Sequence, residues 1–289
     1  MNTLQEARKH QYQYNIGLHP HLNDWRKNPY TFLKARFYME AGAALVWLLL
    51  KTKIKPNTVT VIGGLSSLLG GILLTFPSKV AHLLAILIFF TRGVLDWSDG
   101  HLARVTRQTS FTGYILDVYG ALLNELGFQM GLGFYVAFRT GNLAFVYCIP
   151  AIPFFYAAQL KGFSERVILW EILKKDVFKD WLPRYAEPEI SGGIANDVKN
   201  KVLGQYKKVY DFLAGCLDGR ARNVDLVCFL ILVEVFTDIS VTWVVFVAFL
   251  IKGFLFFVGG YYILLKNNFA EKLIDATINR ISDSPTDPR

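Results

Sequence analysis

Long apolar runs constrain the fold of this 289-residue chain more than any other feature of its sequence. A helix needs about 20 mostly apolar residues to cross the hydrocarbon core of a bilayer. Six segments approach that length with few charges, and they lie at residues 57–76, 79–98, 112–138, 142–161, 223–238 and 241–265. Because a backbone exposed to lipid must satisfy its own hydrogen bonds, we predict that these segments are helices. The expected fold is an all-α, polytopic membrane protein with six transmembrane helices.

The charge distribution predicts how such a protein is oriented. The chain carries a net charge of +8, which suits either nucleic acid or anionic lipid, and the apolar runs favour lipid over nucleic acid. Most of the 31 Lys and Arg lie in the first 56 residues, the 99–111 connection, the segment 162–222 and the tail, whereas the opposite turns hold only Lys79 and Arg139. The positive-inside rule therefore predicts cytoplasmic termini, in a plasma (inner) membrane or an endomembrane.

Three regions are expected along the chain. Residues 1–56 form a cytoplasmic N-terminal segment, in which 30–50, "YTFLKARFYMEAGAALVWLLL", is predicted to be an amphipathic helix lying in the membrane interface. A seventh membrane span is the alternative for that stretch. Residues 57–265 form the transmembrane domain, which includes 162–222 as a cytoplasmic insertion with amphipathic helices. Residues 266–289 form a cytoplasmic tail.

Glycines in the first span indicate close helix packing. Gly63, Gly64, Gly70 and Gly71 lack the side chains that would keep a neighbouring helix at a distance. We interpret them as packing residues and not as ligand contacts.

Three carboxylates at the ends of two adjoining spans are the clearest chemical signal. Asp96 and Asp99 are three residues apart, so on a helix they share one face. Asp117 lies near the start of the next span, and a helical hairpin would bring all three together. Because charges at membrane depth are costly, a hard divalent cation with oxygen ligands would suit this cluster. A structural cluster paired with Arg104 and Arg107 is the alternative.

The spacing of these residues resembles the signature of the CDP-alcohol phosphotransferases, a family of integral membrane enzymes that make phospholipid headgroups. The matching pattern is Asp96-x-x-Asp99-Gly100-x-x-Ala103-Arg104, followed after eight residues by Gly113-x-x-x-Asp117. The stretch "KPNTVT" at residues 55–60 is also similar to the Pro-Asn-x-x-Thr of many members. The resemblance covers about residues 30–265.

This resemblance implies a transferase that uses two divalent ions, Mg²⁺ or Mn²⁺. A CDP-linked donor would bind through its diphosphate, the hydroxyl of an acceptor alcohol would attack the β-phosphorus, and CMP would leave. Asp96, Asp99 and Asp117 would ligate the metal ions. A second set would contact the nucleotide or its phosphates, and it comprises Gly100, Ala103, Arg104, Gly113, Asn57 and Thr60. Asn57 as a cap of the first span is the alternative for that residue. The family also implies a homodimer among membrane lipids, whereas the acceptor stays open.

One position departs from the family pattern. Four residues after Asp117, where the family has its fourth aspartate and proposed general base, this chain has Ala121. Loss of a positioned base costs about 10²–10⁴-fold in rate. Three explanations stay open: an altered sequence, a natural variant with another base, or a catalytically silent protein that still binds a CDP-nucleotide. Glu125, one further turn along the helix, is the candidate replacement, and its alternative is polar packing.

Overall fold

The computed structural model describes residues 3–18, 26, 29–157 and 222–267. Within these ranges every regular element is an α-helix, which confirms the all-α prediction for the described part of the chain. The helices are α1 (Leu4–Leu18), α2 (Pro29–Leu49), α3 (Pro56–Leu74), α4 (Lys79–Val105), α5 (Phe111–Thr140), α6 (Ala144–Cys148), α7 (Ala151–Ala157), α8 (Arg222–Phe236) and α9 (Thr242–Asn267). The predicted insertion, apart from its last residue, and most of the predicted tail lie outside the described residues.

Three of the described helices are long and apolar enough to cross a membrane. They are Pro56–Leu74, Lys79–Val105 and Thr242–Gly259, and they correspond to the first, second and sixth predicted spans. The count of six spans and the interfacial position of α2 stay predictions. The boundaries of the predicted regions at residues 56 and 265 also stay predictions.

The other predicted spans are helical but differ in detail. The third falls within the single long helix α5, and the fifth corresponds to the shorter helix α8. The fourth is divided, because α6 ends at Cys148 and α7 begins at Ala151. Pro150 explains the break, since proline lacks a backbone N–H and disfavours a helical conformation in the residue before it.

The first of two compact units comprises residues 1–147 and 218–246. In this unit α3 packs on both α4 and α5. Glycines allow the α3–α5 approach, because a Cβ atom on Gly131 would lie 2.5 Å from the carbonyl oxygen of Gly71. Gly70 meets a ring on α4, where its Cβ would lie 3.0 Å from Phe89. The predicted packing role is therefore confirmed at Gly70 and Gly71.

Helix α2 belongs to the same unit and is fixed by polar contacts as well as by burial. Ala35, Met39 and Val46 are buried along one side of the helix. The ammonium of Lys34 lies 2.5 Å from a carboxylate oxygen of Asp225 on α8, in an ion pair whose side chains are each 14% exposed. These contacts connect the segment before the first span with the helix that follows the undescribed region.

The second unit comprises residues 148–217 and 247–289, of which α7 and most of α9 are described. Aromatic side chains dominate its packing. The ring of Phe257 lies 5.4 Å from Phe154 and 4.9 Å from Tyr261, measured between ring centroids. Gly253 faces Phe155, since its Cβ would lie 2.7 Å from that ring. The described part of this unit is thus an apolar aromatic cluster.

Glu234 is a fully buried carboxylate in the first unit, and it stabilises the turn between α8 and α9. It accepts hydrogen bonds from the hydroxyl of Tyr135 at 3.0 Å and from the backbone N–H and hydroxyl of Thr242 at 2.7 and 2.8 Å. The backbone N–H of Val241 donates to it as well. The carboxylate therefore sits at the N-terminus of α9, where the helix dipole favours negative charge.

We expect Glu234→Ala to lower the free energy of unfolding by about 3 kcal/mol, because several buried donors lose their acceptor. Denaturant unfolding in mixed micelles measures this loss. Asp238→Ala is the matched control, since Asp238 lies exposed in the same turn and its replacement should change stability by less than about 0.5 kcal/mol. Equal losses in the two variants would contradict a structural role for Glu234.

Candidate active site

The three aspartates singled out in the sequence line one pocket between α3, α4 and α5. Asp96 and Asp99 lie on α4 and Asp117 lies on α5. The other lining residues are mostly small or polar, and they are Val59, Thr60, Gly63, Gly64, Arg92 and Gly120. The empty space within this lining is about 200 Å³. The helical hairpin thus brings the carboxylates together.

Local signals in the α4–α5 turn set the register of that hairpin. After α4 ends, Arg107 adopts a left-handed backbone with φ of 56°, and the N–H of Gln108 donates to the carbonyl of Ala103 at 2.8 Å. Ser110 then caps α5, because its hydroxyl accepts a hydrogen bond from the N–H of Gly113 at 3.0 Å. Asp117 follows one helical turn after Gly113 and so faces back toward α4.

The three carboxylates differ in their present partners. Asp99 is buried and accepts from the hydroxyl of Thr60 at 2.7 Å and from the N–H of Gly100 at 2.5 Å. Asp96 forms an ion pair with the buried guanidinium of Arg92 at 2.9 Å, one turn earlier on α4. Asp117 lies within electrostatic range of both Asp96 and Arg92. One arginine therefore faces three acidic side chains among the lining residues.

The donor set suits a divalent cation in charge, type and proximity. Three carboxylates and one guanidinium leave an excess of two negative charges, and carboxylate oxygens are the ligands that Mg²⁺ and Mn²⁺ prefer. In their present rotamers, however, no three His, Cys, Asp or Glu side chains among the described residues are close enough together to hold one ion. Asp96 is turned toward Arg92 and Asp99 toward Thr60, so binding of one ion by all three carboxylates requires a change in their side-chain conformations.

Residues predicted to contact the nucleotide fall in two places. Thr60 lines the aspartate pocket itself. Asn57 lies beside Gly113, since its amide oxygen is 3.1 Å from where a Cβ on that glycine would stand. Asn57 does not cap α3, because Lys55 is the N-cap residue and Pro56 occupies the first helical position. The capping alternative for Asn57 is therefore wrong.

The remaining motif residues continue along α4 beyond the pocket. Gly100, Ala103 and Arg104 are not among the residues that line it. The guanidinium of Arg104 instead lies 3.7 Å from the ring centroid of Tyr14 on α1. One of its terminal nitrogens is 3.1 Å from where a Cβ on Gly100 would stand, so Arg104 lies across that glycine.

Glu125 lies away from the pocket in the described arrangement. Its side chain is buried and accepts a hydrogen bond from the amide of Gln129 at 3.4 Å. Ala121 is half-buried on the same helix, between Asp117 and Glu125. The hydrogen bond agrees with polar packing, whereas a catalytic role of Glu125 stays a prediction.

Sequence reasoning assigned two of the lining glycines to packing alone. Gly63 and Gly64 follow Thr60 by three and four residues, so they share its helix face and extend the pocket wall. Gly120 follows Asp117 by three residues, so these two residues share one face of α5. The same glycines also allow α3 and α5 to pack closely, because a Cβ on Gly64 would lie 3.5 Å from the Cα of Gly120. The spacing from Thr60 and Asp117 could have identified these residues.

Comparison with known proteins relates the segment that contains the pocket to one family. A family model described as CDP-alcohol phosphatidyltransferase matches residues 53–164, which contain α3, α4, α5 and every residue that lines the pocket. No curated protein sequence and no solved structure is significantly similar to the chain. The apolar helices and the family match together indicate an integral membrane protein. By this match and its aspartate motif, residues 53–164 of the chain are similar to the CDP-alcohol phosphotransferase family.

Proposed function

We propose that the protein transfers a substituted phosphate group from a CDP-alcohol to the hydroxyl of an acceptor alcohol, with release of CMP, in phospholipid or related phosphodiester synthesis. The observation that supports this most is the convergence of Asp96, Asp99 and Asp117 on one pocket inside the family-matched segment. The general phosphotransferase function follows from the family. The metal ions, the leaving CMP and the residue roles are parts of the proposal.

Each lining residue has a specific role in this proposal. Asp96, Asp99 and Asp117 would hold Mg²⁺ or Mn²⁺, which when bound neutralises phosphoryl oxygens and polarises phosphorus. Thr60 orients Asp99 by donating to its carboxylate. Arg92 is the counter-ion of Asp96 in the present arrangement, and it becomes free to bind an anion when Asp96 turns away. The glycine walls let a ligand come close to the helix backbones.

The transfer makes one bond and breaks one bond. The acceptor oxygen attacks the β-phosphorus of the donor, the bond from that phosphorus to the bridging oxygen breaks, and CMP leaves with the electron pair. The hydroxyl proton passes to a carboxylate, for which we assign Asp117 because it lines the pocket. Glu125 is the second candidate, and it needs a rearrangement of α5 to reach the pocket.

A catalytically silent protein that binds a CDP-nucleotide is the second candidate function. Ala121 favours it, because this position lacks the side chain that the family uses as its fourth carboxylate. The proposal further includes cytoplasmic termini and a homodimer, which the charge bias and the family suggest respectively. The alternative differs from the transferase in turnover and not in nucleotide binding.

A panel of substrates separates the two candidates. The purified full chain in lipid nanodiscs is given one CDP-alcohol at a time with a mixture of acceptors, and products are identified by mass spectrometry with Mg²⁺, with Mn²⁺ and with EDTA. We expect CMP and one new phosphodiester, formed only with a divalent ion. Metal-dependent binding of the donor without CMP would support the silent alternative, and absence of both binding and turnover would contradict both.

A further inference from the structure

The N-terminal helix α1, which precedes the family-matched segment, contacts the helix that carries the aspartate motif. We propose that Tyr14 on α1 is a positioning residue, which holds the guanidinium of Arg104 ready to bind a phosphate of the nucleoside diphosphate donor. This proposal rests on the proposed function. Tyr14 itself would not touch the ligand.

Three contacts join α1 to the end of α4. The side-chain amide of Gln11 donates to the backbone carbonyl of Trp97 at 3.2 Å. The rings of His10 and His101 stack with centroids 5.1 Å apart and planes 8° from parallel. The third contact is Tyr14 with Arg104. The contacting residues span about one turn of α1, from His10 to Tyr14, and about two turns of α4, from Trp97 to Arg104.

Burial and a second set of contacts fix α1 in place. Ala7, Gln11 and His101 are each 0% exposed, so this side of α1 and the end of α4 are enclosed by the fold. On its other side α1 meets α2, where the guanidinium of Arg36 lies 4.6 Å from the ring centroid of Tyr12. Helix α1 is therefore held by its neighbours, and the half-buried side chain of Tyr14 lies against Arg104.

One donor on the hydrogen-bonding edge of Arg104 stays unpaired among the described residues. An aromatic ring interacts with the face of a guanidinium, whereas phosphate is bound in the plane by the N–H groups. The Nε of Arg104 is buried and has no hydrogen-bond partner within the described part of the chain. A buried donor without an acceptor costs free energy, which an anionic ligand would relieve.

The location of Arg104 indicates which ligand this is. Its guanidinium lies across Gly100, which directly follows the buried Asp99 of the pocket. A phosphorylated ligand that extends from the aspartate pocket past Gly100 would meet the edge of Arg104 next. Without the ring of Tyr14, the long side chain of Arg104 would populate several rotamers. Binding of the ligand would then have to order that side chain.

Nucleotide affinity of the full chain in nanodiscs, measured calorimetrically with CMP and with CDP in Mn²⁺, tests this proposal. Tyr14→Leu is expected to weaken CDP binding about 5- to 30-fold, the range that a cation–π contact supplies, whereas Tyr14→Phe keeps the ring and should stay within about twofold. Gln13→Leu is the control, because Gln13 is exposed on the same helix directly beside Tyr14. Its CDP affinity should equal that of the unchanged protein.

A double-variant cycle separates positioning from general damage. In an Arg104→Lys background, which lacks the planar face, Tyr14→Leu should add less than about twofold. If Tyr14→Leu alone folds poorly, the CDP affinities of Tyr14→Phe and Arg104→Lys are compared instead by the same titration. Equal affinities of Tyr14→Leu and Gln13→Leu, or additive losses in the cycle, would overturn the proposal. Failure of the unchanged protein to bind either nucleotide would instead overturn the proposed function.

Discussion

Asp99→Asn should lower metal-dependent CMP release by more than about 10²-fold, because loss of residues that merely support metal ligands already costs about 10–100-fold. Asp99 is the most enclosed of the three carboxylates, and asparagine keeps its size and its ability to accept from Thr60 while removing the charge. Initial rates of CMP release at saturating Mn²⁺ measure the effect.

A variant with a smaller expected effect and a control variant accompany Asp99→Asn. Thr60→Val removes the hydroxyl that donates to Asp99 and is expected to reduce the rate about 10–100-fold. Asp238→Ala removes an exposed carboxylate remote from the motif in sequence and should leave the rate unchanged. A rate of Asp99→Asn equal to that of the unchanged protein would show that the pocket is not the reaction site.

Restoring the fourth carboxylate with Ala121→Asp should raise turnover by about 10²–10⁴-fold, the range that a positioned general base contributes. Position 121 follows Asp117 by one helical turn and is half-buried, so the new carboxylate would lie on the same face of α5. Single-turnover CMP release with saturating donor and acceptor measures the gain.

The matched control for this gain is Ala121→Asn, which has the same shape but cannot act as a base. We expect it to stay at the rate of the unchanged protein. Similar rates in the aspartate and asparagine variants would mean that the missing carboxylate is not what limits this chain. In that case Glu125→Gln, which removes the second candidate base on α5, would show whether Glu125 takes the proton instead of Asp117.

Apolar length and motif spacing predicted part of this fold well, for physical reasons. A helix that crosses a bilayer must be long and apolar, so α3, α4 and α9 could be predicted from the sequence. The convergence of Asp96, Asp99 and Asp117 follows from helical periodicity and one short turn. The break at Pro150 could also have been predicted from the sequence, because proline disfavours a helical conformation in the residue before it.

Contacts between distant polar residues could not be predicted in this way. Helix α1 was missed, because it is polar and packs through Gln11, His10 and Tyr14, which form no apolar stripe. The partner of Arg104 lies 90 residues earlier in the chain, and no local pattern connects the two. Long-range pairs of this kind depend on how the helices assemble.

Binding of Mn²⁺ itself is the most direct test of the account, since all of the proposed chemistry depends on three acidic side chains that bind divalent ions. Electron paramagnetic resonance of free Mn²⁺, titrated with the purified chain, reports binding without any turnover. We predict that the unchanged protein removes the free-ion signal, that CDP strengthens this binding, and that Asp96→Asn, Asp99→Asn and Asp117→Asn each weaken it. Undiminished Mn²⁺ binding in all three variants, or no binding by the unchanged protein with CDP present, would contradict the account.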